Sequence, residues 1–200
     1  MPATYGDYYK AKLDGAKLYQ DFVVDAAWNL LGLAIVQHAS EVYQRVVGES
    51  RTGIEIKHDE KFGKTRNLWI EIAEKARPRD GPYVPSGIYR QDNTWLYCIG
   101  DYNTIFFFPK TLLRALHASG RWPVFENNTR TSEGFLLKEF EAEKYAAVII
   151  RPNAADAVSK VVGDLAALGE LLHDATKREQ LEAKWKQIGQ LDLFASTGPL

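Results

Sequence analysis

Thiols are almost missing from this chain of 200 residues: Cys98 is its one cysteine. That excludes a disulfide framework and a thiolate metal cluster, and a lone cysteine without catalytic neighbours reads as a core residue. Charge of one sign is missing as well. Lys plus Arg total 25 and Asp plus Glu 26, for a net charge of -1, so the chain is not a generally basic nucleic-acid coat, although a local basic groove is compatible with it. The longest apolar run, FVVDAAWNLLGLAIV, contains Asp25 and is too short to span a bilayer. The opening MPATYGDYYKAKLDG has no apolar stretch of signal-peptide type, so the expected compartment is the cytoplasm, with no membrane partner. No glycine-rich phosphate loop and no Ser/His/Asp arrangement stands out. His38, His58, His117 and His173 show no metal-ligand spacing, and His58 is expected on the apolar side of a strand.

What is present is a globular composition, 46% hydrophobic and 26% charged, long enough for one domain with an appendage. Leu18, Phe22, Ala26 and Leu30 recur at helical spacing, so a helix is predicted from Gly15 to Leu31, with Gly32 as its stop. LAIV (Leu33 to Val36) reads as a short strand, and HASEVYQRVVGES as a helical turn or a loop. TWLYCIG and TIFFF, separated by DYN, predict a hairpin, and their near-continuous apolar runs place it centrally. Pro109 opens a helix over KTLLRALHASG that ends at Gly120. ARPRDGPYVPSG and GRWPVFENNTRTSEG read as loops, GFLL as a strand, and AAVIIRP as a strand or helix end. From Ala154 to His173 an apolar stripe including Val158, Val161, Leu165 and Leu172 predicts a helix, with the charged KREQLEAKWKQIG as a second. The expected architecture is one sheet with flanking helices and a helical tail.

The stretch that carries chemistry is GIEIKHDEKFGKTRNLWIEI, Gly53 to Ile72. Ile54 and Ile56 alternate with Glu55, Lys57 and Asp59, and Leu68, Ile70 and Ile72 alternate with Trp69 and Glu71. Read as a hairpin, a turn at Gly63 opposes Glu55 to Glu71, and a turn at Thr65 opposes Asp59 to Glu71. Either register holds two carboxylates roughly 5 Å apart at Cβ. A divalent cation removes that repulsion: Mg²⁺ takes one or two carboxylates plus water and phosphate oxygens, and a nearby lysine orients the attacking water. The same alternation also describes an ordinary solvated strand face.

The chain resembles the restriction-endonuclease-like PD-(D/E)XK superfamily, and within it bacterial and phage proteins with an EIK-x-D strand followed by a TGN-x-x-IE strand. The matching pieces are QDFVVD, GES, EIKHD (Glu55 to Asp59), KTRNLWIEIAEK (Lys64 to Lys75) and PSGIYRQDNTWLYCIGDY, spanning about Leu18 to Ile150. The resemblance implies an α/β fold with a restriction-endonuclease-like mixed sheet flanked by helices and a helical C-terminal appendage. It divides the chain into a nuclease-like domain over 1–151 and a helical region over 152–200. It further implies Mg²⁺- or Mn²⁺-dependent cleavage of DNA by an acid–acid–lysine site. Carried over, Glu55 and Lys57 form the E-x-K pair, or Asp59 and Glu71 hold the metal with Lys57 reaching across, and Asp25 on the first helix adds a further acid. Two departures stand out: Ala73 leaves Glu71 without its own lysine, and Arg66 stands where relatives often have glycine. The first also fits a DNA-binding or replication-accessory protein that does not cut.

Lys61, Lys64, Arg66, Lys75, Arg77 and Arg79 lie in loops flanking this site and are candidates for phosphate contacts. Near the C-terminus QLDLF matches the pentapeptide with which bacterial proteins dock on the replication sliding clamp. Gln190 would supply hydrogen bonds, and Leu191, Leu193 and Phe194 the apolar contact.

Overall fold

A computed structural model describes residues 5–75 and 81–161. In chain order the elements are α1 (Tyr5–Leu31), α2 (Glu41–Val46), β1 (Ile54–His58), α3 (Phe62–Thr65), β2 (Asn67–Lys75), β3 (Tyr83–Pro85), a 3₁₀ turn (Gly87–Tyr89), β4 (Leu96–Gly100), β5 (Ile105–Pro109), α4 (Lys110–Ala118), β6 (Val124–Glu126), β7 (Ser132–Lys138), α5 (Glu139–Tyr145), β8 (Val148–Ile150) and β9 (Val158–Val161). The strands form two sheets, one in the order β1-β4-β5-β8-β9 and one in the order β3-β2-β7-β6. The fold is mixed α/β, and the five-stranded sheet is itself mixed: β1 runs parallel to β4, and the other pairs are antiparallel.

The hairpin expected from LYCIG and IFFFP is the centre of this sheet, with Leu96 opposite Pro109 and Gly100 opposite Ile105. Every residue of both strands is buried, because helices or the second sheet cover both faces. Helix α1 packs on the face of β1 formed by Ile54, Ile56 and His58. Tyr19 stacks on the His58 ring with centroids 4.4 Å apart, and Tyr102 meets both rings edge-on. Burial lowers the pKa of His58 below the usual histidine range. On the opposite face, Phe106 meets Phe62 of α3 edge-to-face at 5.5 Å. Leu112, Leu113 and Leu116 of α4 and Ala142 and Tyr145 of α5 complete that side of the core. Cys98 is buried between these layers, as its isolation predicts. Among the described residues, no helix is long and apolar enough to cross a membrane.

The largest departure from the sequence reading concerns GIEIKHDEKFGKTRNLWIEI. Its two strands are not a hairpin. β1 pairs with β4 (Glu55 beside Tyr97, Lys57 beside Ile99), whereas β2 pairs with β3 and β7 in the other sheet. Neither opposed-carboxylate register therefore exists. Alternation fixes which residues share a face but not which strand is the neighbour. The intervening α3 and the left-handed Arg66 (φ 54, ψ 30) steer the chain out of the first sheet. A non-glycine residue pays about 1–2 kcal/mol in that conformation. Arg66 is held there by its amide on Phe62 O at 2.8 Å, its guanidinium on Glu139 and over the Phe62 ring, and its carbonyl accepting from Glu139 N. Position 66 thus takes the left-handed backbone that glycine adopts most readily.

Smaller differences have equally local causes. LAIV is irregular: Leu33 and Ile35 are buried, Val36 O accepts from Arg51 N at 2.7 Å, and the next residue, Gln37, forms an isolated bridge with Ser50. The stretch 120–134, read as a loop, contains β6 and the start of β7, and EFEAEKY forms α5. Residues 158–161 pair with β8 as β9 rather than beginning a helix, so the five-stranded sheet continues past residue 151. The sequence 158–161, VSKV, satisfies a strand pattern and a helical stripe alike, and the free edge of β8 decides between them.

Candidate functional site

Glu55 and Lys57 point from β1 to the face shared with Tyr97, away from α1, and there they join a buried cluster of charges. Lys57 Nζ lies 3.0 Å from Glu55 Oε1 and 3.3 Å from Glu49 Oε1. Glu49 is fixed by the open edge of β1, where its Oε2 accepts a hydrogen bond from Ile56 N at 3.0 Å. Next to it, Ser50 Oγ accepts from Ile54 N at 2.8 Å. Behind Glu55 stands Lys110, 1% exposed, with Nζ 3.6 Å from Glu55 Oε2 and 3.2 Å from Asp92 Oδ1. Arg90 Nε closes the row at 3.2 Å from Asp92 Oδ2. Glu55 is 1% exposed, and neither of its oxygens has a hydrogen bond of acceptable geometry. Lys57 at 3.0 Å and Lys110 at 3.6 Å balance its charge from either side, as ion-pair contacts. Buried carboxylates are costly, and in native proteins they call for an explanation.

Glu71 approaches from β2. Its Oε1 accepts the Ser86 hydroxyl at 2.6 Å, and Gly87 presses against its backbone. Burial raises its pKa above the usual carboxylate range, against the lowering influence of Ser86 and Lys57, while the charges of Glu74 and Glu55 add to the rise. Burial works against the charge on Lys57, but Glu55 and then Glu49 outweigh it and hold the pKa well above the usual lysine value. Burial pushes the Tyr97 phenol well up, and Glu55, Glu71 and Glu49 push it further against Lys57. For Asp92, burial raises the pKa, but hydrogen bonding to Thr94 and the Lys110 ammonium outweigh it and the carboxyl stays below its usual range.

The structure thus brings together Glu55, Lys57 and Glu71 of the expected residues. It places two others elsewhere. Asp59 sits at the end of β1 as a staple: Oδ1 accepts from Lys61 N at 3.1 Å and Oδ2 from Trp69 N at 2.8 Å, which fixes the crossing from β1 to β2. Asp25 is exposed on α1, which covers the opposite face of β1. Of the basic candidates, Lys61 and Lys64 are exposed beside α3, Arg66 is engaged with Glu139, and the Lys75 ammonium lies 5.3 Å from the centre of the Tyr83 ring. Arg77, Arg79 and the whole of Gln190, Leu191, Leu193 and Phe194 lie outside the described residues.

Sequence reasoning missed Glu49, Ser86, Asp92, Tyr97 and Lys110 as members of the site. Lys110 alone left a trace, as a charge inside the otherwise apolar IFFFPKTLL. For Asp59, the staple role makes a direct prediction. Asp59→Ala is expected to lower stability by about 1–3 kcal/mol, since two backbone N–H groups lose a charged acceptor. Urea unfolding measures this, and an unchanged midpoint would remove the staple.

No protein-family model, curated protein or solved structure matches this chain.

Proposed function

We propose that this protein is a divalent-metal-dependent nuclease of the restriction-endonuclease-like type, which hydrolyses phosphodiester bonds in DNA. The observation that carries the reading is Glu55: a buried carboxylate held by ion-pair contacts to two lysines, one of them two residues on along the same strand, with Glu49 and Glu71 close by. Among the described residues no group of three or more His, Cys, Asp or Glu side chains is placed to hold a metal ion by itself. Mg²⁺ does not require one, since one or two carboxylates suffice when water and substrate phosphate complete its shell. The residues therefore fit such an ion, with Glu55 and either Glu49 or Glu71 as its holders. When bound, the ion supplies charge stabilisation to the phosphoryl group and a more acidic water.

The rest of the chemistry belongs to the chain. Lys57, about a third exposed, reaches the open side of the cluster and keeps its proton, so it serves as a hydrogen-bond donor and fixed positive charge. Its role is to orient the attacking water and to stabilise the negative charge that grows on the phosphoryl oxygens. The lysine missing at position 73 is supplied by position 57, on the same strand as Glu55. Glu71, with its raised pKa, is suited to accept a proton from the attacking water. Lys61 and Lys64, exposed beside α3, are suited to phosphate contacts, and QLDLF to recruitment by a sliding clamp.

Incubation of the full chain with single-stranded, duplex and branched DNA, in Mg²⁺ or Mn²⁺, tests the reading. Cleavage by the wild type and a loss of at least about 10²-fold in Glu55→Gln are the expected results. Folded wild-type protein that cuts none of these substrates, or a Glu55→Gln variant that cuts equally well, would overturn it.

A further inference from the structure

The charges around Glu55 balance: Lys57, Lys110 and Arg90 against Glu49, Glu55 and Asp92. The row opens toward solvent at its two ends, where the side chains of Lys57 and Arg90 are 37% and 26% exposed. Lys110 is closed in, so it reaches neither water nor a substrate. It is also poorly placed by every local rule. It occupies the first residue of α4, where the helix dipole favours an acid, and the first turn contains none. Burying an ammonium and two carboxylates there gains little stability over an apolar filling of the same volume. A residue that breaks local rules without a local gain points to a role in the site it touches.

Its own attachments show what that role is. Lys110 Nζ donates to Arg90 O at 3.3 Å and to Asp92 Oδ1 at 3.2 Å, and Asp92 is set in turn by Thr94 N at 2.9 Å. The backbone of Lys110 is anchored too, its amide donating to Trp95 O at 2.8 Å. The ammonium therefore has a fixed address, 3.6 Å from Glu55 Oε2. We propose that Lys110 is a positioning residue: held by Asp92 and the Arg90 carbonyl, it keeps Glu55 Oε2 turned inward, so that Oε1 faces Lys57 at one open end of the row. As a part of catalysis this rests on the nuclease reading. As a statement of what orients Glu55 it does not.

The test uses two variants of the full chain. Lys110→Met leaves Glu55 and Asp92 buried with one cation fewer and is open to misfolding. Lys110→Met combined with Asp92→Asn removes one charge of each sign, so the row stays balanced and Lys57 remains. Thermal melting establishes that the double variant is folded. Mn²⁺ binding, read from the free-ion spin-resonance signal, is expected to weaken by about 10–100-fold in it, the usual effect of losing a group that orients a metal-holding side chain. Cleavage should fall through kcat with KM for DNA unchanged. A crystal structure of the metal-free double variant should show the Glu55 carboxylate rotated from its place. A Glu55 that stays within hydrogen-bond distance of Lys57, with Oε2 still turned inward, would overturn the proposal, as would Mn²⁺ affinity within twofold of wild type. Wild-type protein that neither binds Mn²⁺ nor cuts DNA would instead sink the nuclease reading, and the position of Glu55 in the double variant would still decide whether Lys110 holds it.

Discussion

Lys57→Ala is expected to abolish DNA cleavage while leaving Mn²⁺ binding in place. The ammonium of Lys57 touches both Glu49 and Glu55 from the open side, and these carboxylates hold its pKa well above the usual lysine value, so it is charged at neutral pH. It is therefore suited to stand beside a bound cation and not to ligate one. Removing it takes away the donor for water and phosphoryl oxygens, an effect of about 10²–10⁴-fold in rate for a positioned group of this kind. The carboxylates remain, with Lys110 still behind Glu55. Single-turnover cleavage beside Mn²⁺ titration separates the two roles. Cleavage within tenfold of wild type would deny Lys57 a part in the chemistry. Loss of Mn²⁺ binding along with activity would make it an organiser of the acids instead.

The largest loss of stability is expected from Gly87→Ala. Gly87 opens the 3₁₀ turn with φ +50, in the left-handed region, and a Cβ there would stand 2.3 Å from Glu71 O and 2.9 Å from Glu71 Cβ. The obstacle is backbone of β2, which is tied into the second sheet through β7 and cannot yield as a side chain would. The conformational cost alone is about 1–3 kcal/mol, and relieving the overlap adds to it. For a chain of this size a loss of about 3 kcal/mol lowers Tm by roughly 6–12 °C. The displaced turn carries Ser86, so the hydrogen bond to Glu71 is broken in the same event, and activity should fall together with Tm. A melt within about 2 °C of wild type would contradict this packing.

How much of this was legible beforehand varies from residue to residue. The β4–β5 hairpin was readable because its two apolar runs are adjacent in sequence and joined by DYN. Asp101 in that turn accepts the amides of Asn103 and Thr104, so the signal and the structure are both local. The chemistry of Glu55-x-Lys57 was readable because a strand keeps alternate residues on one face whatever its neighbours are. Of the partners of that pair only Glu71 was named, and from a hairpin register that the fold does not contain. Glu49 comes from a loop, Asp92 from a turn and Lys110 from the start of a helix, and no periodicity links them. Asp59 shows the same limit from the other side. Its parity with Glu55 and Lys57 made it a metal candidate, yet the crossing of the chain at α3 left it beside two backbone amides.

The sequence by itself therefore determined the local grammar: a first helix ending at Leu31, whose start lies ten residues before the Gly15 expected, an apolar central hairpin, an acid and a lysine on one strand face, a thiol with nothing to do but pack. These depend on interactions between residues close in the chain, which composition and spacing record directly. The tertiary structure alone decided that β1 lies beside β4 rather than β2, that VSKV becomes a strand, and that Glu55 stands between two lysines. Those outcomes depend on which free edge and which buried charge is nearest in space, and a pattern of alternation is the same for every neighbour it could meet.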